Sequence, residues 1–401
     1  MIEAAVMGFG TVGGGVVKVL EENAGIIRRS VREGIHVKYI LDLREFPESP
    51  YRGRIVHDVD TILNDPSISI VCETMGGQGA AYKFTKAFLE KGISVCTSNK
   101  ELVAAKGPEL METAKAHHCS YLFEASVGGG IPLLRTIITG LPQEDITSVT
   151  GILNGTTNYI LTKMEKEGTG FDEALKGAQE NGYAERDPSA DVEGYDTARK
   201  IAIISSIVGG GTAAFEDVHC EGITKITPAD LHCANALGCR VKLLAVMKKQ
   251  ESGKYSIITA PFLVPAGNAL YNIDDVFNGI LIHGTMVDDV LLGGRGAGRE
   301  PTASAVVSDV IDAAKNKGET VPCPWDGSKK LDVADYRTAK YRFFVRVPEE
   351  ERAAAAGAFG DITEVSEAEE KEFSFVTPEL NETEFAGKAA GLTILSRIRM
   401  L

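Results

Sequence analysis

A chain of 401 residues is longer than one hydrophobic core usually supports, so its length predicts two domains and a small appendage. Its 44% hydrophobic and 24% charged residues are typical of a globular protein and argue against a disordered one. The formal charge of −14, with no block of lysines and arginines to offset it, excludes nucleic acid as an expected partner.

The sequence predicts neither a membrane segment nor a secretion signal. No run reaches the roughly 18–20 uninterrupted apolar residues of a membrane helix, and the start MIEAAVMGFG lacks a basic region and a cleavage site. The seven cysteines form no CxxC pair and match no tetrahedral zinc pattern, so we expect reduced thiols. These features predict a protein of the cytoplasm with no membrane partner.

The first predicted domain, residues 1–135, alternates strands and helices. A buried strand over residues 2–8 leads into the glycine turn GFGTVG and an apolar helix. Further strands are predicted in HVKYILD, ISIVCETMGG and ISVCTSNK, the last two separated by the helical YKFTKAFLEKG. Alternating helices with strands rich in valine and isoleucine predict a Rossmann-type, doubly wound parallel sheet in an α/β protein.

The pattern changes after about residue 135, where a second α/β domain is predicted over residues 136–299. It contains LLRTIITGL, the strand ITSVTGILNG and helices at NYILTKMEKEG, FDEALKGAQENG and TARKIAIISSIV. The helix TASAVVSDVIDAAKN, within residues 300–320, is expected to pack back on the first domain. Residues 332–401, with strands KYRFFVRVP and KEFSFVTP around the helical EEERAAAAGAF, predict a small α+β module.

The glycine turn between a strand and a helix predicts dinucleotide binding. Its first glycine permits a tight turn, its second lets the backbone approach a pyrophosphate, and its third allows close helix packing. Asp42 could accept hydrogen bonds from an adenine ribose and favour NAD, whereas Arg44 could meet a 2′-phosphate and favour NADP, so the choice stays open. The candidate cofactor residues of these strand ends are Gly8, Gly10, Thr11, Val12, Gly13, Asp42, Arg44, Met75, Gly76, Thr97 and Ser98.

Lys100 and Lys200 are candidate proton carriers. A capping box over residues 98–101, with Ser98 as N-cap, would place Lys100 in a first helical turn beside the ligand crevice of the sheet. Asp196 and Lys200 are four residues apart on a predicted helix and share a face that continues into apolar residues. An ordinary surface salt bridge is the alternative explanation for this pair.

Acidic residues are dense between Gly182 and the apolar run IAIISSIVGG. Carboxylates this close to a buried helix need cationic partners. A substrate ammonium is one candidate, and the neighbouring Arg186 and Arg199 are others.

Several segments together resemble the signatures of homoserine dehydrogenases, in that family's order. They are TSNK (97–100), EASVGGGIP (124–132), NGTTNYIL (154–161), GYAERDPSADVEGYDTARK (182–200) and GRGAGREPTASAVV (294–307). The resemblance covers about residues 1–320. It implies a cofactor domain joined to a substrate and dimerisation domain, in a homodimer or a dimer of dimers. It also implies the reversible NAD(P)-dependent interconversion of L-homoserine and L-aspartate 4-semialdehyde, on the route to threonine and methionine.

The same resemblance implies roles for particular residues. Lys100 and Lys200 would be the catalytic pair. The substrate site would be lined by Gly155, Thr156, Tyr183, Glu185, Asp191 and Asp196. A Na⁺ or K⁺ site, formed largely by backbone carbonyl groups, would involve Glu124, Val127, Gly129 and Ile131. The loop that closes over the nicotinamide would contain Gly298 and Glu300, although Arg295 stands where the family often has proline.

The C-terminal residues resemble an ACT regulatory module in length and in the order of their elements. The ligand-binding DxPG turn of such modules is missing, since VRVPEEERAAAAG stands there. Two other functions compete with the main prediction. One is a semialdehyde dehydrogenase with Cys96 or Cys119 as a thiolate nucleophile, and the other is an NAD-sensing regulator without catalysis.

Overall fold

The computed structural model describes residues 1–366 and 370–401. The chain divides into two compact units. The first unit comprises Met1–Gln143, Ala202–Thr212 and Gly294–Leu331, and the second comprises Glu144–Ile201, Ala213–Gly293 and Asp332–Leu401. No helix in these described ranges is both long and apolar enough to span a bilayer.

Residues 1–143 build a parallel sheet. Their elements are β1 (Ile2–Met7), α1 (Thr11–Glu22), α2 (Ala24–Val31), β2 (Ile35–Leu41), β3 (Ile55–Val56), α3 (Val59–Leu63), β4 (Ile68–Glu73), α4 (Gly79–Glu90), β5 (Ser94–Thr97), α5 (Lys100–Ala116), β6 (Tyr121–Leu122) and α6 (Leu133–Arg135). The strand order is β3-β2-β1-β4-β5-β6, and every pair is parallel. This order reverses at β1 and confirms the predicted doubly wound sheet.

The rest of the chain contributes one long mixed sheet and the helices around it. Residues 144–295 form β7 (Ile146–Ile152), α7 (Gly155–Glu167), α8 (Phe171–Glu180), α9 (Ser189–Val192), α10 (Tyr195–Gly209), β8 (His219–Cys220), α11 (Pro228–Ala236), β9 (Cys239–Lys249), β10 (Tyr255–Pro265), β11 (Phe277–Gly284) and β12 (Asp288–Arg295). Later residues form α12 (Arg299–Lys315), β13 (Lys340–Tyr341), β14 (Phe343–Pro348), α13 (Arg352–Phe359), β15 (Thr363–Glu364), β16 (Glu372–Val376), β17 (Leu380–Asn381), α14 (Glu382–Ala389) and β18 (Ser396–Met400).

The core of the first unit explains why α12 belongs to it. The strands β1 and β4 are buried on both faces, as parallel strands between helix layers must be. Buried residues of α12, among them Val306 and Val310, share one apolar cluster with Val6 and Ile70. Helix α12 also packs tightly on α1, because a Cβ on Gly15 would lie 2.9 Å from the Cβ of Ala303.

In the second unit, strands from the end of the chain extend the sheet that residues 144–293 begin. The order is β12-β11-β7-β9-β10-β18-β14-β16-β15. The last strand, β18, runs parallel to β10 and antiparallel to β14, with Arg399 opposite Phe262 and Phe343. The sheets of residues 144–293 and 332–401 are therefore continuous, and an ACT-like function for the latter stays a prediction.

Candidate active site

The glycine turn lies at the carboxyl end of β1. Gly8 has a φ of +90°, which favours glycine, and a Cβ on Gly13 would lie only 1.8 Å from the carbonyl oxygen of Gly8. Gly10 is the N-cap of α1, and no atom of the described residues lies within 4 Å of where its Cβ would be. The open side of Gly10 leaves room for a pyrophosphate at the amino end of the helix.

A cavity of about 500 Å³ opens beside this turn, at the ends of β1, β2 and β4. Its volume suits the adenosine part of a dinucleotide. Its lining includes five predicted cofactor residues, Gly8, Gly10, Asp42, Arg44 and Met75, and also Thr74, which was not predicted.

Asp42 and Arg44 form an ion pair in the lining of this cavity. Arg44 donates from Nη2 and Nε to the two carboxylate oxygens of Asp42 at 2.9 and 3.0 Å, and the Phe9 amide donates at 2.8 Å. The bonds from Arg44 hold the pKa of the Asp42 carboxyl well below its usual range, despite its burial. The group that would accept from a ribose is thus paired with the group that would meet a 2′-phosphate.

The other predicted cofactor residues lie at helix starts and turns. Thr11 and Val12 begin α1, and Gly76 has a φ of +79° after β4. Gly298, with a φ of +120°, is the N-cap of α12. The carboxylate of Glu300 lies 3.4 Å from the ammonium of Lys18.

Glu73, at the end of β4, is a buried carboxyl group that the sequence did not reveal. It accepts hydrogen bonds from the Thr97 hydroxyl at 2.6 Å and from the Met75 amide at 2.8 Å. Burial raises the pKa of its carboxyl. Glu73 thus joins the ends of β4 and β5 and positions two predicted cofactor residues. The available signal was one acidic residue in the otherwise apolar strand ISIVCE.

The N-cap of α5 is Asn99, so the prediction of Ser98 in that role is wrong. The Asn99 side chain accepts from the Leu102 amide at 3.1 Å. The helix starts one residue later than expected because the Thr97 hydroxyl accepts from the Asn99 amide at 2.9 Å and keeps the chain non-helical there. Lys100 is still in the first turn of the helix, next to the end of β5.

In the second unit, a network of short hydrogen bonds joins Lys200, Asp196, Asp191 and Asn154. The ammonium of Lys200 lies 2.7 Å from Asp196 and donates to the Leu153 carbonyl oxygen at 2.7 Å. The Asn154 amide donates to Asp191 at 2.7 Å and to Asp196 at 2.9 Å. Lys200 is 8% exposed and Asp196 is 2% exposed, so this is a buried ion pair and the surface salt bridge is excluded.

Other predicted substrate residues surround the start of α7. Asn154 caps this helix through the Thr157 amide at 2.9 Å. At Gly155 a Cβ would lie 2.8 Å from the Val276 carbonyl oxygen, so only glycine fits. The Thr156 hydroxyl donates to the Tyr183 carbonyl oxygen at 2.6 Å. Asn154 was missed, although it lies within the quoted segment NGTTNYIL.

Two predicted substrate residues, Glu185 and Tyr183, lie between α8 and α9. The side chain of Glu185 is exposed, and Gln179 donates to its backbone carbonyl oxygen at 3.1 Å. Tyr183 is also exposed, with its ring 5.0 Å from that of Tyr159.

The predicted cation residues follow β6 in a tightly folded loop. The Glu124 carboxylate is engaged by the chain, since it accepts the amides of Leu134 at 2.9 Å and Arg135 at 2.6 Å. The group of Glu124 that could coordinate an ion is therefore its backbone carbonyl oxygen. Burial raises the pKa of the Glu124 carboxyl.

The backbone of this loop turns sharply at its glycines. Gly128 and Gly129 have φ values of +78° and +56°, and a Cβ on Gly129 would lie 2.3 Å from a carbonyl oxygen of residue 296. The carbonyl oxygens of Glu124 and Ile131 accept amides at 3.3 and 2.8 Å, which leaves each a second lone pair. Neutral oxygen donors of this kind suit a hard monovalent cation.

The cysteines named for the alternative thiolate mechanism are buried and protonated. Burial raises the pKa of Cys119 to about 11 and that of Cys96 well above the ordinary value. A thiol with such a pKa is a poor nucleophile near neutrality. The structure therefore does not favour a semialdehyde dehydrogenase.

A doubly wound sheet with a glycine turn at the end of β1 defines the class, a dinucleotide-binding protein. The family model for the homoserine dehydrogenase NAD-binding domain matches residues 8–124, and the homoserine dehydrogenase model matches residues 132–311. The chain belongs to the homoserine dehydrogenase family. This confirms the resemblance drawn from the sequence segments.

Relatives and solved structures agree with this membership. Homoserine dehydrogenase from Pseudomonas aeruginosa is 39% identical over 315 residues, which are 78% of this chain and 72% of that protein. A homoserine dehydrogenase from Thiobacillus denitrificans has a TM-score of 0.89 at 30% identity, over 100% of this chain and 98% of that one. A hyperthermophilic archaeal homoserine dehydrogenase in complex with NADPH has a TM-score of 0.65 at 27% identity, over 78% and 97%.

Proposed function

We propose that Lys100 and Lys200 carry the proton in the reaction of this homoserine dehydrogenase, the reversible NAD(P)-dependent oxidation of L-homoserine to L-aspartate 4-semialdehyde. The observation that carries the proposal is the buried Lys200, held at 2.7 Å by both Asp196 and the Leu153 carbonyl oxygen. Burying a lysine and a carboxylate costs desolvation free energy, and packing alone does not require it. A role in proton transfer accounts for that cost.

The chemistry requires one group for the hydride and one for the proton. Bound NAD(P) supplies the hydride acceptor. Oxidation of the homoserine alcohol also releases the hydroxyl proton, which a neutral lysine amine can take up. In the reverse direction the Lys200 ammonium, which lies 2.7 Å from Asp196, gives the proton to the oxygen, so the forward reaction ends in this same ion pair.

The amino-acid part of homoserine is a zwitterion and needs both signs of charge. Asp191 and Asp196, held by Asn154 at 2.7 and 2.9 Å, offer carboxylates to its ammonium. The backbone amides at Gly155 and Thr156, in the first turn of α7, favour its carboxylate. Tyr183 and Glu185 complete the proposed substrate residues.

The proposal extends to a cation, to assembly and to location. The carbonyl groups of Glu124, Val127, Gly129 and Ile131 would hold Na⁺ or K⁺. A homodimer, or a dimer of dimers, is proposed on the family resemblance alone. Location in the cytoplasm is supported by the seven cysteines, all within the described residues, which form no disulfide, as expected in a reducing compartment.

The test is an assay of the purified protein with L-homoserine and either NAD or NADP. We expect reduction of at least one cofactor with L-homoserine, and none with D-homoserine or L-serine. Alkylating the accessible thiols at neutral pH should leave the rate unchanged. If L-homoserine reduces neither NAD nor NADP, the proposal is refuted. Loss of activity on alkylation would favour the thiolate alternative.

A further inference from the structure

The turn between α9 and α10, residues 192–194, rests directly on residues 219–223, here called the support segment. The Ile223 amide donates to the Val192 carbonyl oxygen at 2.8 Å. A Cβ on Gly222 would lie 2.2 Å from that same oxygen, so the two backbones are in contact with no side chain between them. The turn and the support segment must therefore move together.

This turn sets the separation of two proposed substrate ligands. Asp191 comes just before it, and Asp196 lies in the first turn of the helix that follows. Both carboxylates accept hydrogen bonds from the Asn154 side-chain amide, at 2.7 and 2.9 Å. A displacement of the support segment would therefore change the spacing of the two carboxylates.

The support segment is itself held by the carboxylate of Glu221. Arg399 donates to both of its oxygens, at 2.9 and 2.8 Å, Arg397 lies at 3.2 Å, and a ring nitrogen of His219 lies at 2.7 Å. Burial raises the pKa of the Glu221 carboxyl, but the bonds from His219 and Arg399 outweigh it and hold the pKa well below its ordinary range. Glu221 is therefore ionised near neutral pH.

Arg399 is a fixed anchor because it lies on β18, in the interior of the sheet. It is 1% exposed and stands opposite Phe262 of β10 and Phe343 of β14. Its second partner, Glu382 at the start of α14, lies 2.6 Å away. Arg399 therefore cannot follow Glu221 if the support segment shifts.

We propose that Glu221, anchored by Arg399, is a positioning residue for the substrate site. It keeps the support segment in place, so that Asp191 and Asp196 stay at the spacing that binds the substrate ammonium. Through this contact β18 sets the affinity for homoserine and leaves the affinity for the dinucleotide unchanged. The proposal rests on the proposed function, because that function makes these two carboxylates substrate ligands.

The test compares Glu221→Gln with a matched control, Glu372→Gln. Glu372 also pairs with a buried arginine, Arg346 at 2.7 Å, which has Asp230 as its second partner. Their side chains are similarly exposed, 30% for Glu221 and 23% for Glu372. We expect Glu221→Gln to raise the KM for L-homoserine about tenfold, with kcat and the KM for NAD(P) changed less than about twofold. Glu372→Gln should leave all three constants within about twofold.

Two further variants separate positioning from the cost of an unpaired arginine. Arg399→Lys keeps the positive charge but cannot donate to both carboxylate oxygens of Glu221 as arginine does. It should therefore also raise the KM for homoserine. In the double variant Glu221→Gln/Arg399→Met no unpaired charge remains, and the raised KM should persist. A normal KM in Glu221→Gln or in the double variant, or an equal rise in Glu372→Gln, would overturn the proposal. A wild-type protein inactive on homoserine would instead overturn the proposed function.

Discussion

The two units differ in the kind of group that forms their predicted sites: backbone at glycines in the first unit, and charged side chains in the second. In the first unit, the glycine turn needs residues without a side chain at Gly10 and Gly13, and the other predicted cofactor residues lie close to strand ends. In the second unit, the proposed substrate residues and their supports depend on charged side chains that are paired across long stretches of sequence. Glu221 and Arg399, for example, are 178 residues apart.

The difference follows from what each ligand needs. A pyrophosphate is bound by backbone amides at a helix start, which a short glycine motif supplies wherever it follows a strand. A zwitterionic substrate needs fixed charges of both signs in a site with little water, and each buried charge needs its own partner. A local motif therefore predicts the first kind of site, whereas the second is visible only in the fold or through a family resemblance.

The largest effect is expected from Lys200→Ala. Loss of a general acid–base group typically costs 10²- to 10⁴-fold, so kcat should fall about 1,000-fold. NAD(P) affinity should hold, because the glycine turn belongs to the other unit. Stopped-flow turnover and cofactor titration measure the two quantities.

A control for Lys200→Ala is Lys163→Ala. Lys163 also pairs with a carboxylate one helical turn away, Glu167 at 2.6 Å, but this pair is exposed. The kcat of Lys163→Ala should equal that of the wild-type protein. Near-normal turnover in Lys200→Ala would contradict the role of Lys200. The buried Lys200–Asp196 pair would then matter no more for activity than the exposed Lys163–Glu167 pair.

The next effect separates two glycines of one turn. Gly13→Ala places a methyl group 1.8 Å from the Gly8 carbonyl oxygen, so it should destabilise the protein by about 3 kcal/mol or more. Gly10→Ala enters open space at a φ of −84°, so Tm should hold while the Kd for NAD(P) rises about tenfold. Thermal unfolding and cofactor titration test both; normal binding by Gly10→Ala would show that no pyrophosphate lies there.

A smaller effect concerns the choice of cofactor. Arg44→Ala removes the predicted partner of a 2′-phosphate and frees the Asp42 carboxylate from its ion pair, so that it could accept from a ribose. The ratio of kcat/KM for NADP over NAD should fall about tenfold. Arg54→Ala is the control, since Arg54 pairs at 2.5 Å with Glu21 and does not line the cavity. An unchanged ratio in Arg44→Ala would exclude Arg44 from cofactor choice.

The smallest effect is a change in pH dependence at Glu73. Its raised pKa means that the folded protein keeps this proton to a higher pH than the unfolded chain, where the carboxyl pKa is about 4.3. Its contribution to stability is therefore fully present below that pH and is lost as pH rises through the folded-state pKa. Glutamine does not titrate, so the stability of Glu73→Gln relative to wild type should increase with pH. A difference independent of pH, in urea unfolding from pH 4 to 8, would contradict this.

The sequence predicted β1, β2, β4 and β5 of the first sheet, because they alternate with helices, but not the two-residue strands β3 and β6. It predicted none of β9 to β12, since β9 and β10 are long strands buried on both faces and show little period-two alternation. The error at Ser98 arose from a local contact, in which the Asn99 amide donates to the Thr97 hydroxyl two residues earlier.

The positioning residues escaped prediction for a related reason. Asn154, Glu73 and Glu221 are single polar residues whose partners come from elsewhere in the fold. Their spacing in the sequence carries no periodic signal. Segment resemblance identified the neighbourhood of Lys200 but could not show that its ion pair is buried.

The interleaving of the two units limits how this protein can be recombined. The first unit is assembled from three separate stretches, and α10 begins in one unit and ends in the other. A single crossover near residue 143 would leave the nucleotide-binding half without α12 and part of its core. Chimeras that exchange cofactor domains between relatives must therefore transplant three stretches at once, and one protease cut there should release no folded fragment.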